Sequence, residues 1–135
     1  MKAKSTKKYL LAKPGAVEDY PFGEDVAVFK VKDKMFATLV SHRPNEPNPK
    51  FRDCAQINLK CDPDEALALR DIFDAVVPGY HMNKKHWNTV VLDKSIPKGE
   101  IQRMIDCSYG LVVKSLKKAD RLALELKYGE DKLFS

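Results

Sequence analysis

Residues 25–40 carry the pattern that most restricts the fold. From Asp25 to Lys32 the residues alternate: Ala27, Phe29 and Val31 fall on one side, and Val26, Val28, Lys30 and Lys32 on the other. That is the period of two of a half-buried strand. Asp33-Lys34 reads as a turn and Met35–Val40 as a second strand, so the pair forms an antiparallel hairpin. A third strand, Ala55–Cys61, sends Ile57, Leu59 and Cys61 one way and Gln56, Asn58 and Lys60 the other. An antiparallel sheet of this kind has one apolar face, and other parts of the chain must cover it.

Segments with helical spacing supply the cover. Residues 4–13 predict a short helix contributing Tyr9, Leu10 and Leu11, ended by Lys13-Pro14-Gly15. Asp62-Pro63-Asp64-Glu65 is a helix start: Asp62 caps, Pro63 fits the first helical position and Glu65 completes a capping box. That helix runs to about Asp74 and buries Ala66, Leu69 and Phe73. After Val76-Val77-Pro78-Gly79 and a turn over 83–86, Trp87–Leu92 is a further strand. Pro97 opens the clearest helix, in which Ile101, Met104, Ile105, Ser108, Tyr109, Val112, Val113 and Leu116 recur on one face. Ala119–Leu126 predicts a last helix and residues 127–135 a loose tail. Residues 41–53, with Pro44, Pro47 and Pro49, form a loop. The expected architecture is an α+β two-layer sandwich, an antiparallel sheet of about five strands with helices on one face. We expect one domain over 1–135 with its core at about 9–116. A parallel nucleotide-binding fold alternates strand and helix throughout, and this chain does not.

Composition narrows the function classes. The chain has 135 residues, 44% of them apolar and 32% charged, which is globular composition. No apolar run approaches the roughly 20 residues of a membrane span, and the lysine-rich start has no apolar core of a secretory signal. Cys54, Cys61 and Cys107 are an odd, widely spaced set without a Cys-x-x-Cys pair, against both a disulfide framework and a thiolate zinc site. A reducing cytoplasm is the expected location. The net charge of +5 comes from 24 Lys and Arg against 19 Asp and Glu, and five of those lysines (Lys2, Lys4, Lys7, Lys8, Lys13) stand in residues 1–13, where there is no acid. The rest is neutral. That start is either a solvated basic face or an arm that meets phosphates.

Searches for chemistry return little until residues 76–92. Neither glycine-rich phosphate motif is present, nor a G-x-S-x-G elbow. His81 and His86 lack the spacing of a zinc-protease helix, so no metal and no cofactor are expected. Cys61 and Cys107 fall on expected core faces, as inert apolar residues. Residues 76–92, in contrast, hold two lysines, two histidines, a tyrosine, the only tryptophan and no acid. Lysine neutralises phosphate, aromatic rings stack on or wedge between bases, and asparagine bonds base edges or phosphate oxygens. The candidate nucleic-acid-contacting residues are Lys84, Lys85, His86, Trp87, His81, Asn83 and Tyr80, with Lys60 on the neighbouring strand. A purely structural reading has Tyr80 and Trp87 anchoring a hairpin whose tip the lysines blunt. Two other readings stay open: a pocket protein or enzyme for an anionic ligand using His81, Lys84 and His86, and an adaptor that binds protein through the sheet.

Several short runs resemble one family: Lys13-Pro14-Gly15-Ala16, Tyr20-Pro21-Phe22-Gly23, Lys34-Met35-Phe36-Ala37, Asn58-Leu59-Lys60-Cys61 and Asp106-Cys107-Ser108-Tyr109. Above all, Pro78-Gly79-Tyr80-His81-Met82-Asn83-Lys84-Lys85-His86-Trp87 is long and compositionally unusual. From about Tyr9 to Leu116 the chain resembles the MmcQ/YjbR family. The resemblance implies a sandwich similar to frataxin (CyaY-like). It also implies DNA binding through paired hairpin wings. The leading expectation is a small non-enzymatic module, monomer favoured, and the neutral body makes its DNA binding weak and without sequence specificity. The loop 41–53 looks longer than in that family, and a charged tail follows Leu126. Frataxin-like iron delivery would need an acidic first helix; residues 1–13 hold lysines and no acid, which argues against it.

Overall fold

The computed structural model describes residues 1–134. Six strands form one antiparallel sheet in the order β1-β2-β3-β4-β6-β5: β1 (Val17–Asp19), β2 (Ala27–Val31), β3 (Lys34–Val40), β4 (Gln56–Lys60), β5 (Val76–Pro78) and β6 (Trp87–Val91). The helices are α1 (Ala3–Leu11), α2 (Pro63–Ile72), α3 (Lys98–Ser115), α4 (Lys118–Tyr128) and α5 (Glu130–Leu133), packed on one face of the sheet.

The β2–β3 hairpin is present, but its turn is Lys32-Asp33, one residue earlier than the spacing predicts. Both have positive φ, 49° and 65°. That is the geometry of a two-residue turn whose twist matches the flanking strands. A register shift after Phe29 lets Phe36 join Ala37 on the helix side, where Phe36 meets the Tyr109 ring edge-on at 5.3 Å. Phe29, Ala37, Leu39, Ile57, Leu59 and Val90 share that side by register. The α3 positions expected from periodicity, Ile101 to Val113, are all buried against it. Ser108 adds a polar tie, donating to Phe36 O at 2.6 Å and accepting from Lys60 N at 2.8 Å. Asp62 caps α2 as expected, accepting from Asp64 N and Glu65 N.

Three expectations are corrected. The sheet has six strands, because Val17–Asp19 adds an edge strand to β2; three residues are too short to show a period. The tail is not loose: α5 turns back and buries Leu133 completely, while Ser135 lies outside the described residues. The start is helix α1 rather than an extended arm; Lys2, Lys4 and Lys8 are exposed, but two of its five lysines are tied down. Lys13 is buried, its Nζ 2.5 Å from Asp106 and over the rings of Tyr9 and Tyr109, and Lys7 pairs with Glu18 at 2.8 Å. Among the described residues no helix is long and apolar enough to cross a membrane.

Candidate functional site

The β5–β6 connection, residues 79–86, is fixed at both ends. Gly79 N donates to Trp87 O at 2.9 Å and Tyr80 N to Thr89 Oγ1 at 3.0 Å. Asn83 O accepts from both His86 N and Trp87 N. From α2, Arg70 donates to Asn88 Oδ1 at 2.7 Å and to Lys84 O. Position 79 admits only glycine, since a Cβ there would stand 2.9 Å from both Trp87 Cβ and Trp87 O.

This scaffold sends the sequence-predicted residues in different directions. Lys84, Lys85 and Asn83 are exposed on the outer turn, with Lys84 Nζ folded back to Gly79 O at 3.1 Å. His86 and Trp87 are half-buried where β6 begins, and Lys60 is their neighbour through its register with Trp87. Tyr80 and His81 instead turn onto the sheet face opposite the helices. His81, Lys84 and His86 are therefore not gathered in one concavity: His81 lines the cavity described next, and the other two do not.

That open face is not bare. Gln56 and Asn58 alternate outward from β4 as expected, yet Gln56 is 3% exposed, because loop 41–53 folds over the sheet. The loop is held by Glu46, which has no exposed surface at all. Its carboxylate accepts from Tyr80 Oη at 2.7 Å, Gln56 Nε2 at 3.0 Å and Asn48 N at 3.3 Å. Arg43 Nη1 stands 3.7 Å away. Burial pushes the Glu46 carboxyl up, but the Gln56, Tyr80 and Asn48 hydrogen bonds with the Arg43 charge outweigh it, and the group sits below its ordinary value. The same contacts act on Tyr80: burial, then the Glu46 bond and charge, push its phenol up to about 12. The Arg43 guanidinium carbon stands over the Tyr80 ring, 3.9 Å from its centroid.

Between the loop, the 80–82 segment and the strands lies a cavity of about 490 Å³. Its floor is Met35, Thr38 and Val40 of β3 with Gln56 and Asn58 of β4. One wall is His42–Asn45, a second Tyr80–Met82, and the far side Phe22, Asp25 and Val26. Thr38 and Asn58 face each other in register at its centre. His81 holds a left-handed φ of 59°, a conformation that disfavours side chains and concentrates at functional positions.

Sequence reasoning missed Thr38, Arg43, Glu46, Gln56 and Asn58. The signal was the polar side of β4, which alternation assigns to solvent; only the path of a proline-rich loop reveals that this side is covered. Cys61 is buried as expected, whereas Cys107 is only half-buried. Burial pushes the Cys61 thiol up to about 11, and Cys107 is raised by burial too. No cluster of three or more metal-ligating side chains occurs among the described residues.

The family model described as YjbR matches residues 11–111. The chain belongs to the YjbR family. It is 35% identical over 117 residues to the uncharacterized protein YjbR of Escherichia coli K12, covering 87% of this chain and 92% of that one. The uncharacterized protein YbdF of Escherichia coli O157:H7 is 34% identical over the same length, covering 87% and 88%. Among solved structures, the Deinococcus radiodurans protein DR2400, a DUF419 domain, superposes with a TM-score of 0.77 at 32% identity, covering 91% of this chain and 87% of that chain. A Pseudomonas syringae protein gives 0.72 at 32% identity, covering 82% and 98%. The YjbR match contains every residue that lines the cavity, and it ends before α4 and α5.

Proposed function

We propose that this YjbR-family chain is a binding module rather than a catalyst, and that the open-face cavity receives a small organic ligand. The observation that carries this reading is the buried cluster around Glu46. A buried carboxylate is costly unless saturated with partners. This one accepts three hydrogen bonds, and what they secure is a loop that walls a concavity over the sheet. The cavity volume of about 490 Å³ falls within the range of small-molecule sites. Catalysis finds less support: His42 and His81 both line the cavity, but no carboxylate orients either imidazole among the described residues.

The test is uptake of a neutral apolar reporter, N-phenylnaphthylamine, whose emission rises in apolar surroundings. We expect saturable binding with one site per chain. Met35→Trp, which fills the floor from β3, should remove it without changing the melting temperature by more than a few degrees. Uptake that is absent, or that survives Met35→Trp undiminished, contradicts the cavity reading.

A second reading rests on its own observation: Lys84 and Lys85 stand exposed and adjacent on a tied-down turn, in a window without acids. It takes the segment, with Lys60, His81, Asn83 and His86, as a weak contact for DNA phosphates. The stacking role given to Tyr80 has less support, because Arg43 occupies one face of its ring and Glu46 its hydroxyl. A frataxin-like sandwich belongs to the same reading, supported by a first helix, an antiparallel sheet and the long helix α3 after its last strand, although α2 interrupts the strands and α4 and α5 follow α3.

A further inference from the structure

If the cavity is a ligand site, its unpaired polar atoms specify what it takes. Arg43 is the first of them. Its side chain is 16% exposed, yet none of its guanidinium N–H groups reaches an acceptor within hydrogen-bond distance among the described residues. Nη1 is buried without a partner, and Glu46 is 3.7 Å from it. A guanidinium offers five donors in a rigid fork. Leaving the buried Nη1 unused is unfavourable unless something supplies an acceptor.

The floor repeats the pattern. Thr38 is 6% exposed and its hydroxyl has no protein partner among the described residues, although it lines the cavity. Asn58 accepts from Thr89 through Oδ1, which leaves its amide N–H₂ free beside Thr38 across the strand pair. A hydroxyl, an amide N–H₂ and a guanidinium are all able to donate, so they fit one acceptor group that is negatively charged, while Gln56 Oε1, also of a lining residue, is buried without a partner and is left to accept from the ligand. The charge it must carry is small. Arg43 is the only permanent cation among the lining residues, Asp25 is a lining acid and the Glu46 carboxylate stands 3.7 Å behind Arg43, so a second negative charge on the ligand would find no cation to meet it. No lining residue is a glycine, and no helix starts at the cavity, so the usual phosphate cradle is missing. The rest of the lining is apolar: Phe22, Val26, Met35, Val40, Pro44 and Met82.

We infer that the cavity binds a monocarboxylate with an apolar body, its carboxylate held by Arg43, Thr38 and Asn58 and its body laid against the β2–β3 side. This rests on the proposal that the cavity is the functional site. Bidentate pairing suits a carboxylate on guanidinium geometry, and the volume admits a medium-length aliphatic chain or a substituted ring.

The experiment is calorimetric titration of the full chain with octanoate and with octanol, its neutral counterpart of equal length. Octanoate should bind at least about tenfold more tightly, the weight of charge-assisted hydrogen bonds in a sheltered site. Thr38→Val, which removes only the hydroxyl, should weaken octanoate several-fold and leave octanol unchanged. Arg43→Met should abolish the preference between the two, and Arg43→Lys, which keeps the charge and loses the fork, should recover part of it. Equal binding of octanoate and octanol, insensitive to Arg43→Met, overturns the carboxylate assignment while N-phenylnaphthylamine uptake keeps the cavity reading. Octanoate binding that persists unchanged in both Thr38→Val and Arg43→Met overturns the placement of the head group. Failure of octanoate, octanol and the dye alike removes the cavity reading itself.

Discussion

Glu46 shows how one residue sets the shape of the site. Replacing it with glutamine keeps the volume but turns an amide N–H₂ toward donors that now bond a carboxylate, Tyr80 Oη and Gln56 Nε2. Leaving such donors unpaired in the interior costs about 1–3 kcal/mol, so Glu46→Gln should lower the urea midpoint by a corresponding amount. The pH dependence has a definite sign. The native carboxyl sits below its ordinary 4.5, so the folded chain releases this proton more readily than the unfolded one. Its stabilisation is complete at neutral pH and fades as pH falls below about 4.5. Melting scans between neutrality and acid should show a steeper acid loss in the wild type than in Glu46→Gln. His81 predicts the opposite direction of change. Its left-handed backbone makes His81→Gly stabilising by up to about 1 kcal/mol in urea. A histidine kept there at that cost is consistent with a role at the cavity rim.

At the scale of elements, α3 was legible because seven of its positions, with Leu116 just past its end, repeat at helical spacing and one face of it is buried. The start of α2 was legible from Asp62 and Pro63, whose roles are local chemistry. β1 was not, since its pairing with β2 is a long-range choice made by three residues. The site was half legible. Composition marked Tyr80 and His81, but nothing local says that Arg43 and Glu46 fold onto them across the sheet, because that contact joins a loop and a hairpin 34 residues apart. The terminal helix α5 gives a test at this scale. Leu133 is fully buried though α5 has only four residues. Leu133→Ala should cost about 2–4 kcal/mol, measured by chemical denaturation; a change under about 0.5 kcal/mol would return the last residues to the loose tail that composition suggests. Gly79→Ala, by driving a methyl into Trp87, should destabilise the β5–β6 hairpin and shift Trp87 emission.

Across the whole molecule, charge and concavity point to different places. Lys7 and Lys13 are paired with Glu18 and Asp106, while Lys84 and Lys85 stand exposed side by side on the turn. A nucleic acid engaging about two to five phosphates gives a log–log salt slope near −2 to −4. Lys84→Ala with Lys85→Ala should then reduce that slope by about 2. Anisotropy of labelled duplex at several salt concentrations checks this; no binding at low salt removes the nucleic-acid reading. The cavity makes the stronger claim, because its unpaired donors and its anchored loop converge on one volume. The direct measurement is an amide NMR titration of the full chain with octanoate. The account predicts saturable shifts concentrated at Thr38–Asn45, Gln56–Asn58 and Tyr80–Met82, with Lys84 and Lys85 nearly still. Shifts absent from those three segments, or scattered evenly over the surface, would contradict it.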